Sequence, residues 1–135
     1  MSTYCKWRGH AELVFAGYYH NRNMLKDFER SVIFAAKGND NMPKSSGIND
    51  PTAAAALAIA ENPRMAELSR EIKAVDKVLR QLPDYKAALL RRLYLSGKRY
   101  TLEGAAMQEG ISLRTAIRWK KQAARLLARE LGWID

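Results

Sequence analysis

Along most of the chain apolar residues recur at alternating steps of three and four, and no window shows the period-two alternation of β-branched side chains that a half-buried strand requires. The chain therefore reads as all-α. From about Thr3 to Ala36 the positions Trp7, Ala11, Val14, Tyr18, Leu25, Phe28, Val32 and Ala35 form a heptad seam, with Asn21 in its one polar slot. The segment KGNDNMPKSSGINDP then breaks helicity with glycines, a proline and Asn, Asp and Ser, and predicts a mobile linker over 37–50. Asp50 before Pro51 is a capping residue followed by proline in the first turn, which opens an alanine-rich helix ending near Glu61. Asn62 and Pro63 repeat the device. The helix they open carries a second seam, Met65, Leu68, Ile72, Val75, Leu79 and Leu82, and Pro83 ends it. Asp84 starts a further helix, DYKAALLRRLYLSG, stopped by Gly97. By chain order the expected parts are an N-terminal long helix over 1–36 for packing or oligomerisation, the flexible linker, connecting helices over 51–83, and a helix-turn-helix domain over 84–135 that closes the helical bundle.

Each seam fits two uses. An amphipathic helix packing within its own monomer explains the spacing, and so does a homo-oligomer joined through the heptad helices, in which Asn21 would select register.

The last third follows a helix-turn-helix plan. Thr101 caps a short helix, LEGAAMQE. Gly110 provides the conformational freedom of a tight turn, Ile111 plugs inward, and Ser112 caps a second helix. Ala106, four residues before the turn, sits where two steeply crossing helices approach most closely, so small size is required there. On a wheel at 100° per residue, Ala116, Trp119, Ala123, Leu126 and Leu127 fall in one sector, the expected core face. Arg114, Arg118, Lys121, Arg125 and Arg129 share the opposite face. Such a narrow cationic stripe suits a helix laid against a duplex bearing one negative charge per ~1.7 Å.

If so, only the first two turns enter the major groove, which makes Leu113, Arg114, Thr115 and Arg118 the candidates for base edges. Lys121 and Arg125, leaving the groove, are assigned to phosphates, together with Ser112 at the cap and Lys98, Arg99 and Thr101 from the preceding turn.

The charge distribution agrees with this placement. The 135 residues carry a net charge of +9, with a pI near 9.9. From Pro83 onward there are 11 Lys or Arg against 5 Asp or Glu, a surplus of six out of nine in the last two-fifths of the chain. A polyanionic partner follows, nucleic acid or a lipid surface. The lipid surface fits less well, because the apolar face of the basic helix is rich in Ala and poor in Trp. No apolar run approaches the roughly 18 residues of a membrane span. A lone Cys5 cannot form an internal disulfide, and no N-terminal stretch reads as a secretory signal, so a cytoplasmic protein is expected.

TLEGAAMQEGIS followed by LRTAIRWKKQAARLL resembles the helix-turn-helix in the fourth region of housekeeping sigma factors. The wider frame, NDPTAAAALAIAENPRM, then IKAVDKVLRQLP, LLRRLYLSG and ISLRTAIRWKKQAARLLARELGW, resembles the RinA and ArpU families of phage-encoded transcriptional regulators. The resemblance implies a phage or prophage activator that binds a promoter in the bacterial host and turns on late genes. By position it places Arg114, Thr115 and Arg118 among base-reading side chains and Ser112 on the cap. Two positions depart from the pattern. Glu109 stands where the family's first helix has a buried Leu or similar residue, and Gly104 lies inside that helix at a cost of roughly 1 kcal/mol relative to Ala. Either the supporting helix is loosely held or Met107 fills the gap from a rotated position.

Nothing in the sequence assembles an enzyme or calls for a cofactor. His10 and His20 lie about 80° apart around one helix and ~15 Å along it, too far to share a metal, and Cys5 does not change this. Glu67 and Glu71, one turn apart, are what an exposed helix face commonly carries. Tyr94, Tyr100, Trp119 and Trp133 do not alternate with basic residues along one face, as a single-strand stacking surface would. Two other classes compete with the activator: a small terminase-like DNA-packaging recognition subunit, and an adaptor that uses the helix-turn-helix to bind RNA polymerase.

Overall fold

The computed structural model describes residues 6–37 and 50–135, and all regular structure among them is helical. Helix α1 spans Lys6–Lys37, α2 Pro51–Glu61, α3 Pro63–Gln81, α4 Asp84–Leu90, α5 Leu102–Glu109 and α6 Leu113–Glu130. The expected linker at 37–50 lies outside the described residues, except at its two ends.

The helix starts are made by the residues the sequence offered for them. Asp50 accepts a hydrogen bond from the Thr52 amide (3.0 Å), with Pro51 in the first turn of α2. Asn62 Oδ1 accepts from the amides of Arg64 (3.1 Å) and Met65 (3.2 Å) at the start of α3. At the other end of α3 the Leu82 amide still reaches the Val78 carbonyl (3.1 Å), and Pro83, which has no N–H, stops the ladder.

The helix expected to run from Asp84 to Gly97 differs in its second half. After Leu90 it widens into a π-helical turn, Arg91–Leu95, before the chain turns at Gly97. A π turn shifts each bond one residue further along and leaves carbonyls to be satisfied at its end. The Ser96 hydroxyl meets one of these needs by donating to the Arg92 carbonyl (2.9 Å).

The chain falls into two compact units that cut across its order. One, described from Lys6, holds the chain as far as Tyr19 together with Glu71–Asp135, and the other is His20–Arg70. In the first unit the opening turns of α1 bury Ala11, Val14, Phe15 and Tyr18, and α3 buries Ile72, Ala74, Val75, Val78, Leu79 and, just beyond its end, Leu82. Phe15 lies outside the heptad seam yet is only 1% exposed, because its ring stacks on Tyr94 with centroids 5.4 Å apart. Tyr18 donates to Asp76 Oδ1 (2.6 Å). In both stretches the buried face is wider than a two-position seam, and burial within the monomer accounts for it. In the second unit Ala55 and Leu68 are buried, while Leu25, Phe28, Val32 and the seam's polar Asn21 are half-buried.

Candidate nucleic-acid interface

Three short motifs delimit α5 and α6 and set the turn between them. Thr101 Oγ1 accepts from the Gly104 amide (2.9 Å) and so caps α5. At the other end Gly110 adopts φ 70°, ψ 31°, the left-handed conformation that costs side-chain-bearing residues most. There the Gly110 amide donates to the Met107 carbonyl (3.1 Å) and the Ile111 amide to the Ala106 carbonyl (3.0 Å), the pair of bonds that defines a Schellman turn. Ser112 Oγ then accepts from the Thr115 amide (3.1 Å) and starts α6. Gly104 has its own reason to lack a side chain. A Cβ there would lie 3.1 Å from Thr101 Oγ1, crowding the atom that caps the helix.

The core between the two helices is small. Ala105, Ala106, Ala116 and Leu89 are buried together, with Leu93, Tyr100, Leu102, Ile111 and Trp119 packed around them. Ala106 is 2% exposed, in keeping with a position that requires small size.

The slot at Glu109 is filled in a way the sequence did not suggest. Met107 does not enter it, being 79% exposed. Glu109 instead accepts a charge-assisted hydrogen bond from Arg92 Nε at 2.7 Å, and the Arg92 guanidinium lies 5.8 Å from the Tyr100 ring centroid. Glu109 and then Tyr100 hold the Arg92 pKa above its ordinary value. An ion pair reaching back to the π turn therefore ties α5 down where an apolar contact was expected.

On α6 the cationic face is exposed as the wheel requires, and the buried face is turned from the expected one toward Ala124 and Ala128. Ala116, Ala123, Ala124, Leu127 and Ala128 are buried. Trp119 and Leu126, placed on the core face by the wheel, lie at its half-buried rim. There Tyr85 meets the Trp119 ring edge-on at 5.3 Å, and Lys86 sits 5.9 Å from that ring while donating to Gln122 Oε1 (2.8 Å). On the opposite side Arg114, Arg118, Lys121, Arg125 and Arg129 are all exposed, and no ion pair with a described residue engages any of them.

Of the candidate base readers, Leu113, Arg114 and Arg118 are exposed. Thr115 is half-buried, and its Oγ1 accepts from the Ser112 hydroxyl (2.9 Å), so this side chain is partly committed to the cap. The candidate phosphate contacts Lys98, Arg99, Thr101, Ser112, Lys121 and Arg125 are all exposed.

Sequence reasoning missed the neighbour of α6. Lys120 is half-buried and forms an ion pair with Glu12 of α1. Beside that pair runs a groove of about 180 Å³ lined by Arg8, Glu12, Leu102, Ile117, Lys120, Lys121 and Ala124. One signal was present: Lys120 falls off the cationic stripe on the side of the core, where a lysine needs a partner.

No protein-family model, no curated protein and no solved structure matches this chain. The remaining chemistry-bearing residues are scattered. Among the described residues no three of His, Cys, Asp and Glu gather as metal ligands. His10 meets the Trp133 ring edge-on at 5.4 Å, and both line an open cleft of about 220 Å³ with Leu13, Val14 and Glu71. His20 is exposed, Glu67 pairs with Arg70 at 3.6 Å, and Cys5 lies outside the described residues. Among the described residues no helix is long and apolar enough to cross a membrane.

Proposed function

We propose that the protein is a sequence-specific double-stranded DNA-binding regulator, not an enzyme, and that α6 enters the major groove with its first two turns. The observation that carries this reading is the stripe of five exposed cations, without an ion pair among the described residues, on a helix whose other face packs on α4 and α5 and whose start is set by a Schellman turn and a cap. From Arg114 to Arg129 the stripe runs ~22 Å at 1.5 Å per residue, longer than the ~12 Å width of the groove. Its leading end therefore reads bases through Leu113, Arg114 and Arg118, and Thr115 serves through its methyl group. Its trailing end, with Lys121 and Arg125, follows phosphates. Arg118 and Arg114 each suit a forked contact to guanine.

The resemblance to RinA and ArpU proteins and to the fourth sigma region supports a narrower reading, a cytoplasmic phage or prophage activator of late genes that acts beside RNA polymerase. Selection of bound duplexes from a random pool, with the mass of the complex measured alongside, tests the whole proposal. The expected result is a defined site bound by a monomer or low oligomer, with log K falling against log salt at a slope of about −4 to −6 for about five to seven phosphate contacts. A ring-sized assembly would support the packaging subunit instead. Weak binding indifferent to sequence would support the polymerase adaptor.

A further inference from the structure

We propose that the first turns of α1 belong to the DNA-binding surface, where Arg8 and Lys121 clamp a backbone phosphate beside α6 and Glu12 limits the strength of the grip. The inference rests on the reading of α6 just given and extends it to an element that chain order sets apart. Three features of the groove between α1, α5 and α6 carry it.

The first is charge. The groove walls hold three cations, Arg8, Lys120 and Lys121, and one anion, Glu12. Glu12 is matched by Lys120, which leaves Arg8 and Lys121 without an ion pair among the described residues. Arg8 is exposed, and its guanidinium lies 5.5 Å from the Trp7 ring centroid, which restricts the long side chain before any partner arrives.

The second is shape and polarity. The rest of the lining is Leu102, Ile117 and Ala124, an apolar floor that lowers the local dielectric and strengthens the attraction of the cations for an anion. About 180 Å³ is below the ~300 Å³ at which pockets begin to enclose a small-molecule ligand, yet it admits a single phosphodiester group.

The third is continuity. Lys121 belongs both to the exposed stripe of α6 and to this groove, so a duplex laid along the stripe brings its backbone to the groove mouth. The occupant is therefore a phosphate of the same duplex that α6 reads.

The test compares salt dependence of binding by the full chain to the selected duplex and to an unrelated one. Arg8→Ala is expected to weaken both about three- to tenfold and to flatten the salt slope by about one, as Lys121→Ala does. Glu12→Gln releases Lys120 and adds one uncompensated cation, so it is expected to tighten binding to both duplexes and steepen the slope by about one. Circular dichroism melts of each variant show that the fold is retained. An unchanged slope in Arg8→Ala, with Lys121→Ala flattened, overturns the clamp while leaving α6 as the DNA-binding helix. Unaltered or weaker binding by Glu12→Gln refutes the part assigned to Glu12. If the unsubstituted protein shows no salt-dependent duplex binding, the reading of α6 falls and the clamp falls with it.

Discussion

Gly110 is where one backbone angle decides whether two helices meet correctly. Its φ of 70° lies in the left-handed region, and an added Cβ would have open space around it, so the cost of any side chain there is conformational and not steric. Gly110→Ala should lower stability by about 1 to 2 kcal/mol, read from denaturant midpoints, and Gly110→Asn should lose less because Asn tolerates that region. Tyr94 gives a second prediction at this scale. Burial, aided by the charge of Glu12, pushes its phenol above the ordinary 10.0. As pH rises past that value the unfolded chain sheds the proton while the folded chain keeps it, so the contribution of Tyr94 to stability is flat up to about pH 10 and falls beyond. Tyr94→Phe should remove much of that alkaline loss, which urea midpoints at about pH 9 and 11 would show. Both residues illustrate what a sequence discloses. Thr101, Gly110 and Ser112 are legible because each acts on backbone within three or four positions of itself. The Arg92 bond to Glu109 spans 17 positions and depends on the π turn, so no local pattern announces it.

For helices, legibility follows period. The five cations of α6 were assigned to one face by spacing alone, and all five are exposed. What spacing could not supply was the neighbour that takes Lys120. The division of labour along α6 is open to a direct comparison. Arg118→Ala should cost about 1 to 3 kcal/mol of binding free energy and relax preference at one base pair, whereas Lys121→Ala should weaken all duplexes alike and flatten the salt slope by about one. Identical behaviour of the two variants in a binding titration against a panel of single-base-changed sites would show that α6 does not enter the groove as proposed. The apolar seam residues of α1 and α3 are buried or half-buried except Ala35, at the far end of the α1 seam, which is exposed. A two-position seam is too narrow for either helix, because it leaves out Phe15, Ala74 and Val78, which are buried as well.

At the level of the molecule, chain order and compactness diverge. Boundaries at punctuation residues divide the chain at 36, 50 and 83, while the compact units divide it inside α1 and inside α3. Punctuation marks where a helix stops, not which helices touch, and contacts between residues dozens of positions apart leave no periodic trace. Phe15→Ala tests the consequence. Removing a fully buried aromatic ring should destabilise the first unit by about 3 to 5 kcal/mol, so a substitution some hundred residues before Arg118 should lower the melting temperature of the unit that carries α6. An unchanged melting temperature would show that α1 does not hold that unit together.

Because the divisions at Tyr19 and at Arg70 both fall within helix, the scissile bonds there have their amides engaged in the helical ladder and are not presented as extended strands to a protease. Digestion under native conditions should spare both places. The two bodies of this chain can be separated only by melting a turn of each helix first, so neither will be obtained as a stable fragment by nicking the intact protein at those boundaries.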